Sequence, residues 1–201
     1  MRIKVLELYL LLIILAFKFD IMIFEILIKL KGSNPQIWRQ VQVDASISLD
    51  KLHHIIQASM GWTNSHLHSF SIDDIEYSHP DFSDADFLFA DSTKYKLKDF
   101  AEERILYVYD YGDYWEHEIE IIRKIDTPIL LKAVCIDGQG KCPPEDVGGI
   151  YGFDEFLKIM ADKNHPERDS YIEWCGEEFD LNDFSAVEAN SNLLRISLLS
   201  G

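Results

Sequence analysis

The residues of this sequence that could do chemistry are histidines and carboxylates in three stretches, "SHLHSF", "YDYGDYWEH" and "CPPEDVGG". The histidines are potential metal ligands, and they are His66, His68 and His117. The carboxylates are potential catalytic groups, and they are Asp110, Asp113, Glu145 and Asp146. Two histidines that lie two apart on one strand face can bring two imidazoles to one ion. Imidazole and carboxylate together suit zinc, manganese or iron, and a carboxylate could act as general base, so the pattern allows a metal-dependent hydrolase.

A structural interpretation competes with this catalytic one. Histidines on the apolar face of a strand are commonly buried and hydrogen-bonded within the core, and the sequence contains no compact ligand signature such as H-E-x-x-H. Asp110 and Asp113 flank Gly112, a setting in which short acids accept backbone N–H groups of a turn. We therefore expect no cofactor, and a divalent metal remains the alternative.

The three cysteines argue against a disulfide framework and against a structural zinc site. Cys135, Cys142 and Cys175 cannot all be paired, which favours a reduced, cytoplasmic setting. Cys135 and Cys142 are too far apart for the short pair of a zinc ribbon. Cys142 precedes two prolines that could present a thiolate, but no neighbouring cation in the sequence would lower its pKa.

The elements that would position these residues are mainly strands. Apolar residues alternate with polar ones from Phe24 to Lys31, and "IWRQVQV" returns after a turn at "GSNP", so the first two strands form a hairpin. "ILYVY" and "YWEHEIEII" flank "DYGD" as a second hairpin, whose period of two places His117 on the buried face. "SHLHSFSI" predicts a strand that carries both His66 and His68 on one side.

Helices are predicted between and after these strands. Ser48 is a candidate N-cap and Gly61 a candidate stop for a helix with apolar residues at helical spacing. Two later helices are predicted in "FDEFLKIM" and in "NHPERDSYIEWCG", after an irregular loop "CIDGQGKCPPEDVGGIYG". Strands connected as hairpins, followed by helices, predict an α+β fold in a single domain, with helices packed against a mainly antiparallel sheet.

The two ends of the chain differ from this domain, which we place at residues 22–185. Residues 1–21 contain an apolar run that is shorter than the roughly 20 residues of a membrane-spanning helix. They could be a tail or an artefact of a start that truly lies at Met22, and a tether or a secretory signal are the other interpretations. Residues 186–201 form a C-terminal tail with an apolar stretch, to which we assign no structure.

The net charge of −16 is the strongest compositional feature, and it bears on the choice of partners. An acidic surface repels phosphate backbones, and no concentrated basic stripe is present to overcome that repulsion. We therefore expect a protein partner rather than a nucleic acid. A membrane would be a partner only if residues 1–21 were real and retained, and the oligomeric state stays open.

Five stretches in order resemble the plasmid pRiA4b open-reading-frame-three-like family: "IWRQVQV", "LHHIIQASMGWTNSHLHSF", "YVYDYGDYWEHEIEI", "CPPEDVGGIYGFDEFL" and "HPERDSYIEWCGEEFD". The resemblance runs from about Phe24 to Phe184 and implies a shared fold. It also implies an association with mobile elements in bacteria and archaea, and some members carry a resolvase label. The sequence itself contains no resolvase-like basic arm.

The leading hypothesis is a cytoplasmic protein-binding or accessory module, in which the polar residues hold loops in fixed shapes. The alternative is a metal-dependent hydrolase that uses the histidine and carboxylate cluster. A DNA-transaction protein is a third interpretation, which the net charge disfavours.

Overall fold

A computed structural model describes residues 22–82, 88–125 and 132–199 of the protein, with side chains up to residue 196. These residues form one eight-stranded sheet with the strand order β5-β4-β3-β6-β7-β1-β2-β8. The strands are β1 (Ile23–Leu30), β2 (Trp38–Asp44), β3 (His68–Ile72), β4 (Ile75–Ser78), β5 (Ala90–Asp91), β6 (Ile105–Tyr109), β7 (Trp115–Ile125) and β8 (Ala133–Gln139). All neighbours pair antiparallel except β4 and β5, which confirms the α+β class with a mainly antiparallel sheet.

Within the described residues, four α-helices accompany the sheet: α1 (Leu49–Met60), α2 (Gly149–Ala161), α3 (Arg168–Cys175) and α4 (Ala186–Leu199). α1 begins where predicted, because the Ser48 side chain accepts the backbone N–H of Lys51. It ends at Gly61, which has a left-handed φ of 106° and donates its N–H to the carbonyl of Gln57. Its buried face joins the inward strand residues in one hydrophobic core. Among the described residues, no helix has the length and apolar character needed to cross a bilayer.

The two predicted hairpins form the centre of the sheet. β1 lies between β2 and β7, and β7 in turn pairs with β6. In β7 the residues Trp115, His117 and Ile119 are buried, while Glu116, Glu118 and Glu120 lie on the more exposed face. The period-two pattern therefore predicted both faces of this strand, and the glutamates form a solvated face with ion pairs such as Lys31–Glu116.

Three elements differ from the sequence prediction. β8 begins two residues before the stretch that was predicted as a loop and extends into it, where Asp137 and Gly138 interrupt the apolar alternation. β3 begins at His68, so His66 precedes the strand rather than sharing a face with His68. The C-terminal tail forms α4, which packs against β8. The predictions for residues 1–21 lie outside the described residues.

α4 also covers the outer edge of β8. The side-chain amide of Asn190 pairs with one residue of that strand, since its Oδ1 accepts the N–H of Cys135 at 2.9 Å. Its Nδ2 donates to the carbonyl of Cys135 at 2.7 Å. The amide thus takes the place of a neighbouring strand at this point, which is how an edge is protected from further pairing.

Candidate functional site

Three connecting segments meet at one end of the sheet and carry most of the candidate residues. They are residues 62–67 after α1, the loop 110–114 between β6 and β7, and the loop 140–148 before α2. The hydroxyl of Tyr109 joins the first and third segments, because it accepts the N–H of Ser65 at 2.9 Å and donates to Glu145 Oε1 at 2.8 Å. Burial and the Glu145 carboxylate raise the pKa of Tyr109 well above its usual value, so this hydroxyl stays protonated and keeps its donor role.

The loop 110–114 is attached to the loop before α2 in the same way. Asp113 Oδ2 accepts the backbone N–H of Gly148 at 3.0 Å. Gly149 approaches so closely that an added Cβ would lie 2.3 Å from the Asp113 carbonyl oxygen, and its φ is +66°. Only glycine fits there without displacing the backbone. The glycines of "DVGG" therefore let α2 dock against the hairpin loop.

Asp110 is fixed by its own loop. Its Oδ1 accepts the N–H of Gly112 at 2.8 Å, as the sequence predicted for a turn, and its backbone N–H donates to the carbonyl of Leu67 at 2.8 Å. The carboxylate is buried, and its second oxygen, Oδ2, lies 3.8 Å from His66 Nδ1. On the other side of the same imidazole, Nε2 lies 3.4 Å from Oδ1 of the exposed Asp146.

His66, Asp110 and Asp146 are the group of described residues whose ligand atoms could hold a metal ion, all within 4.8 Å of one another. One imidazole nitrogen and two carboxylate oxygens suit manganese, zinc or ferrous iron, and three protein ligands leave positions for water or substrate. Atoms that bind one ion at about 2.0–2.2 Å lie closer to one another than the 4.8 Å observed for these three. Asp110 faces Nδ1 of His66 and Asp146 faces Nε2, so a single ion would need the exposed Asp146 to turn toward the Nδ1 side and the ligand atoms to move closer together. The donor types of these residues fit a divalent cation.

The other candidate residues have different surroundings. Glu145 accepts hydrogen bonds from Thr63 and Tyr109, and Asp113 accepts from Gly148, so both hold the loops in shape.

His117 is fully buried between Tyr107 and Trp62, with ring centroids 5.4 Å and 5.3 Å away. Burial lowers the pKa of His117 to about 4, which keeps it neutral inside the core. The structure thus brings His66 together with two carboxylates and separates it from His117.

His68 belongs to a second histidine cluster. Its ring stacks on His53 with a centroid distance of 3.4 Å and an angle of 3° between the planes. Burial, reinforced by the neighbouring histidines, lowers the pKa of His53 to about 2 and that of His68 to about 3, so both rings are neutral. The nitrogens of His53 contact Tyr107 and Asn64, whereas those of His68 have no hydrogen-bond partner among the described residues.

These stacked rings adjoin a cavity of about 570 Å³ that also reaches His66, and we name it the histidine cavity. Five of the chain's seven histidines line it: His53, His54, His66, His68 and His79. Asp50, Asp81 and Phe82 lie in its wall as well. None of the described residues that line this cavity is a lysine or an arginine.

Sequence reasoning missed His53 and Tyr109 as parts of this region. His53 follows Leu52 in the α1 stripe and carries its imidazole into the buried face, where a polar ring needs a partner. Tyr109 is the last residue of β6 and immediately precedes Asp110. That position could have identified Tyr109 as a neighbour of the candidate site. The contacts of both residues depend on elements distant in sequence, which a local pattern does not reveal.

A second cavity, of about 470 Å³, contains Arg39 and Cys142. Arg39 is 2% exposed and donates to four carbonyl oxygens, those of Trp38, Ser59, Gln139 and Gly140. Its guanidinium is the cation near Cys142 that the sequence did not reveal. Burial nevertheless raises the pKa of the Cys142 thiol, which keeps it protonated and a weak nucleophile.

Comparisons with known proteins give related chains. The signature of the family described as "Plasmid pRiA4b ORF-3-like protein" matches residues 22–188. The uncharacterized protein y4hQ of Sinorhizobium fredii (strain NBRC 101917 / NGR234) is 37% identical over 164 residues, which are 80% of this chain and 82% of that protein. The crystal structure of MM3350, a protein of unknown function from Methanosarcina mazei Go1, is similar with a TM-score of 0.76 and 28% identity. That match covers 83% of this chain and 96% of the other.

Proposed function

The chain belongs to the plasmid pRiA4b ORF-3-like family, and we propose that it is a metal-dependent hydrolase with its metal ligands at His66, Asp110 and Asp146. The observation that carries this proposal is the convergence of three ligand atoms from three different loops within 4.8 Å. A divalent cation held there would supply a polarised water for hydrolysis.

The surrounding residues have roles that agree with such a site. Asp110 is held in place by Gly112 before any ion arrives, so one ligand is preorganised. Asp146 is exposed and can move toward the ion. Tyr109 and Glu145 keep the loop that carries Asp146 next to the segment that carries His66. This outer layer of hydrogen bonds is what metal sites need to orient their ligands.

Metal titration tests the proposal directly. Protein purified without a histidine tag and dialysed against EDTA is titrated with Mn²⁺ in a calorimeter, and we expect one ion per chain. His66→Ala and Asp146→Asn should each weaken binding at least about tenfold, because each removes a ligand. The matched control is Glu103→Gln, which removes an exposed carboxylate outside the three loops.

Two results would contradict the proposal. If Glu103→Gln weakens Mn²⁺ binding as much as Asp146→Asn does, the ion is attracted only by the general negative charge. If the wild type binds Mn²⁺ but releases no p-nitrophenol or p-nitroaniline from ester, phosphate and aminoacyl anilide substrates, the hydrolase part fails and the metal site remains.

A protein-binding or accessory module is the second candidate, and exposed aromatic side chains favour it. Tyr114 is 58% exposed and Tyr151 is 89% exposed. Tyr114 follows Asp113, and Tyr151 is two residues after Gly149, so both lie near the place where α2 docks against the hairpin loop. Tyrosine is enriched among the residues that dominate binding energy at protein interfaces. A link to mobile elements, which the family resemblance implies, would fit an accessory role of this kind.

A further inference from the structure

The histidine cavity has the electrostatic character of a site for a cation. Asp50 and Asp81 lie in its wall, and neither lysine nor arginine is found among its described lining residues. Asp50 makes no ion pair with any other described residue. The whole chain carries a net charge of −16, which adds to the negative potential inside a cleft. An anion such as phosphate would be repelled here.

His68 gives this cavity a buried imidazole that has no hydrogen-bond partner among the described residues. A neutral imidazole has one nitrogen without a proton, which can accept an N–H group. His68 is 3% exposed and both its nitrogens lack a partner among the described residues. A buried polar group left without a partner is costly, so it points to a polar ligand that completes it.

Aromatic surface completes the chemistry of the wall. The ring of Phe82 stands edge-on to His68 at a centroid distance of 5.8 Å, and Phe82 is itself partly exposed. Aromatic faces attract ammonium and guanidinium groups. The volume of about 570 Å³ is that of a small-molecule site, far more than a single metal ion needs.

We propose that the histidine cavity binds a small organic cation, with a protonated amine or guanidinium group held by Asp50 and Asp81 and by the imidazole acceptors. His66 belongs both to this cavity and to the candidate metal site, so a bound cation lies next to the metal ligands. Its role as a substrate rests on the hydrolase function proposed above. The binding itself does not, because Asp50, Asp81 and His68 are outside the metal set.

Putrescine, the dication of 1,4-diaminobutane, is the probe for this proposal. EDTA-treated protein is titrated with putrescine in about 0.15 M salt, which screens the general charge of the surface. The uncharged 1,4-butanediol and inorganic phosphate are titrated in parallel. We expect putrescine alone to bind, and we expect it to shift the imidazole ¹⁵N resonances of His68.

Variants identify where the probe binds. Asp50→Asn and Asp81→Asn should each weaken putrescine binding about tenfold, while Glu103→Gln, with the same loss of charge elsewhere, should leave it unchanged. The proposal is overturned if butanediol binds as tightly as putrescine, or if Glu103→Gln has the same effect as Asp50→Asn. Thermal melting identifies any variant that fails to fold. If one of the two aspartate variants does not fold, the putrescine affinity of the other tests the proposal.

The outcome is separable from that of the hydrolase proposal. Putrescine binding without Mn²⁺ binding leaves the cavity as a cation site and removes the metal-dependent reaction. Mn²⁺ binding without putrescine binding removes the cation site and leaves the metal ligands in place.

Discussion

Asp110 and Asp146 both have left-handed backbone conformations, with φ values of 59° and 61°. Aspartate tolerates this conformation better than most residues, because its short side chain can hydrogen-bond locally. Asp110 does so through Gly112. Both residues also place a carboxylate oxygen within 4 Å of His66. The candidate site therefore contains two aspartates in an uncommon backbone conformation.

The buried His117 leads to a prediction about how the stability of the protein depends on pH. Its pKa is about 4 in the folded protein and near 6.5 in an unfolded chain, so between these values the unfolded state binds more protons. Stability should therefore be constant above about pH 7 and fall as the pH drops below about 6.5. His117 contributes up to about 1.4 kcal/mol per pH unit, or about 3 kcal/mol over the whole window.

Urea denaturation at a series of pH values from neutral to acid measures this slope. We expect His117→Gln to lose less stability on acidification than the wild type, whatever its stability at neutral pH. His165→Gln, which removes a histidine outside the sheet, should keep the wild-type slope. Equal slopes in the two variants would show that His117 is not a neutral core group.

At the scale of elements, the sequence predicted what local periodicity determines. The caps of α1, the two central hairpins and the inward direction of His117 all follow from patterns within about 15 residues. β8 was missed because Asp137 and Gly138 are poor strand residues, and pairing with β2 overrides their preference. α4 was missed because its apolar residues match a helix only weakly until β8 is present to pack against.

The candidate site divides in the same way. His66, Asp110 and Asp146 were all among the residues singled out for their chemistry, but the sequence prediction took His66 and His68 as the two imidazole ligands and offered the carboxylates to complete the site. That pairing assumed a strand three residues longer than the observed β3. The distances that matter connect three loops, and loop geometry depends on tertiary contacts such as Tyr109 with Glu145.

The contact between α2 and the hairpin loop gives a prediction at this scale. Gly149→Ala places a Cβ against the Asp113 carbonyl oxygen at a positive φ, so the two elements must move apart. We expect a loss of at least about 2 kcal/mol in unfolding free energy beyond that of Gly176→Ala, which has a similar φ and open space around it. Urea denaturation gives both values.

The same variant tests whether this contact supports the proposed metal site. Asp110 belongs to the hairpin loop and Asp146 to the segment before α2, so displacement of the two elements should weaken Mn²⁺ binding in folded Gly149→Ala protein. Gly176→Ala should bind Mn²⁺ as the wild type does. Full affinity in the Gly149 variant would mean that the docking of α2 does not position the ligands.

At the scale of the whole molecule, charge determines what the protein can approach. With a net charge of −16, it should show no measurable affinity for duplex DNA at about 0.15 M salt. In lysate, immobilised chain should instead capture protein, and capture should fall in a Tyr114→Ser/Tyr151→Ser double variant. Mass spectrometry of the captured material and a DNA retention assay measure the two parts.

Leu88→Ser is the control for the capture experiment, because Leu88 is as exposed as Tyr151 but lies elsewhere, before β5. The accessory-module candidate is contradicted if both variants capture the same proteins as the wild type. Tight retention on DNA that weakens steeply with salt would contradict the charge argument and favour the resolvase label carried by some family members.

The pairing of Asn190 with Cys135 has a consequence for how the protein behaves in a crowded solution. A flat strand with free backbone groups is a seed for fibres, and here a side chain from the end of the chain occupies that position. The strand at the opposite edge, β5, is two residues long, so a strand of another molecule could form few hydrogen bonds with it. Removal of α4 would therefore expose the edge of β8 to pairing with other molecules. Chains truncated before α4 should aggregate under conditions in which the intact chain stays in solution.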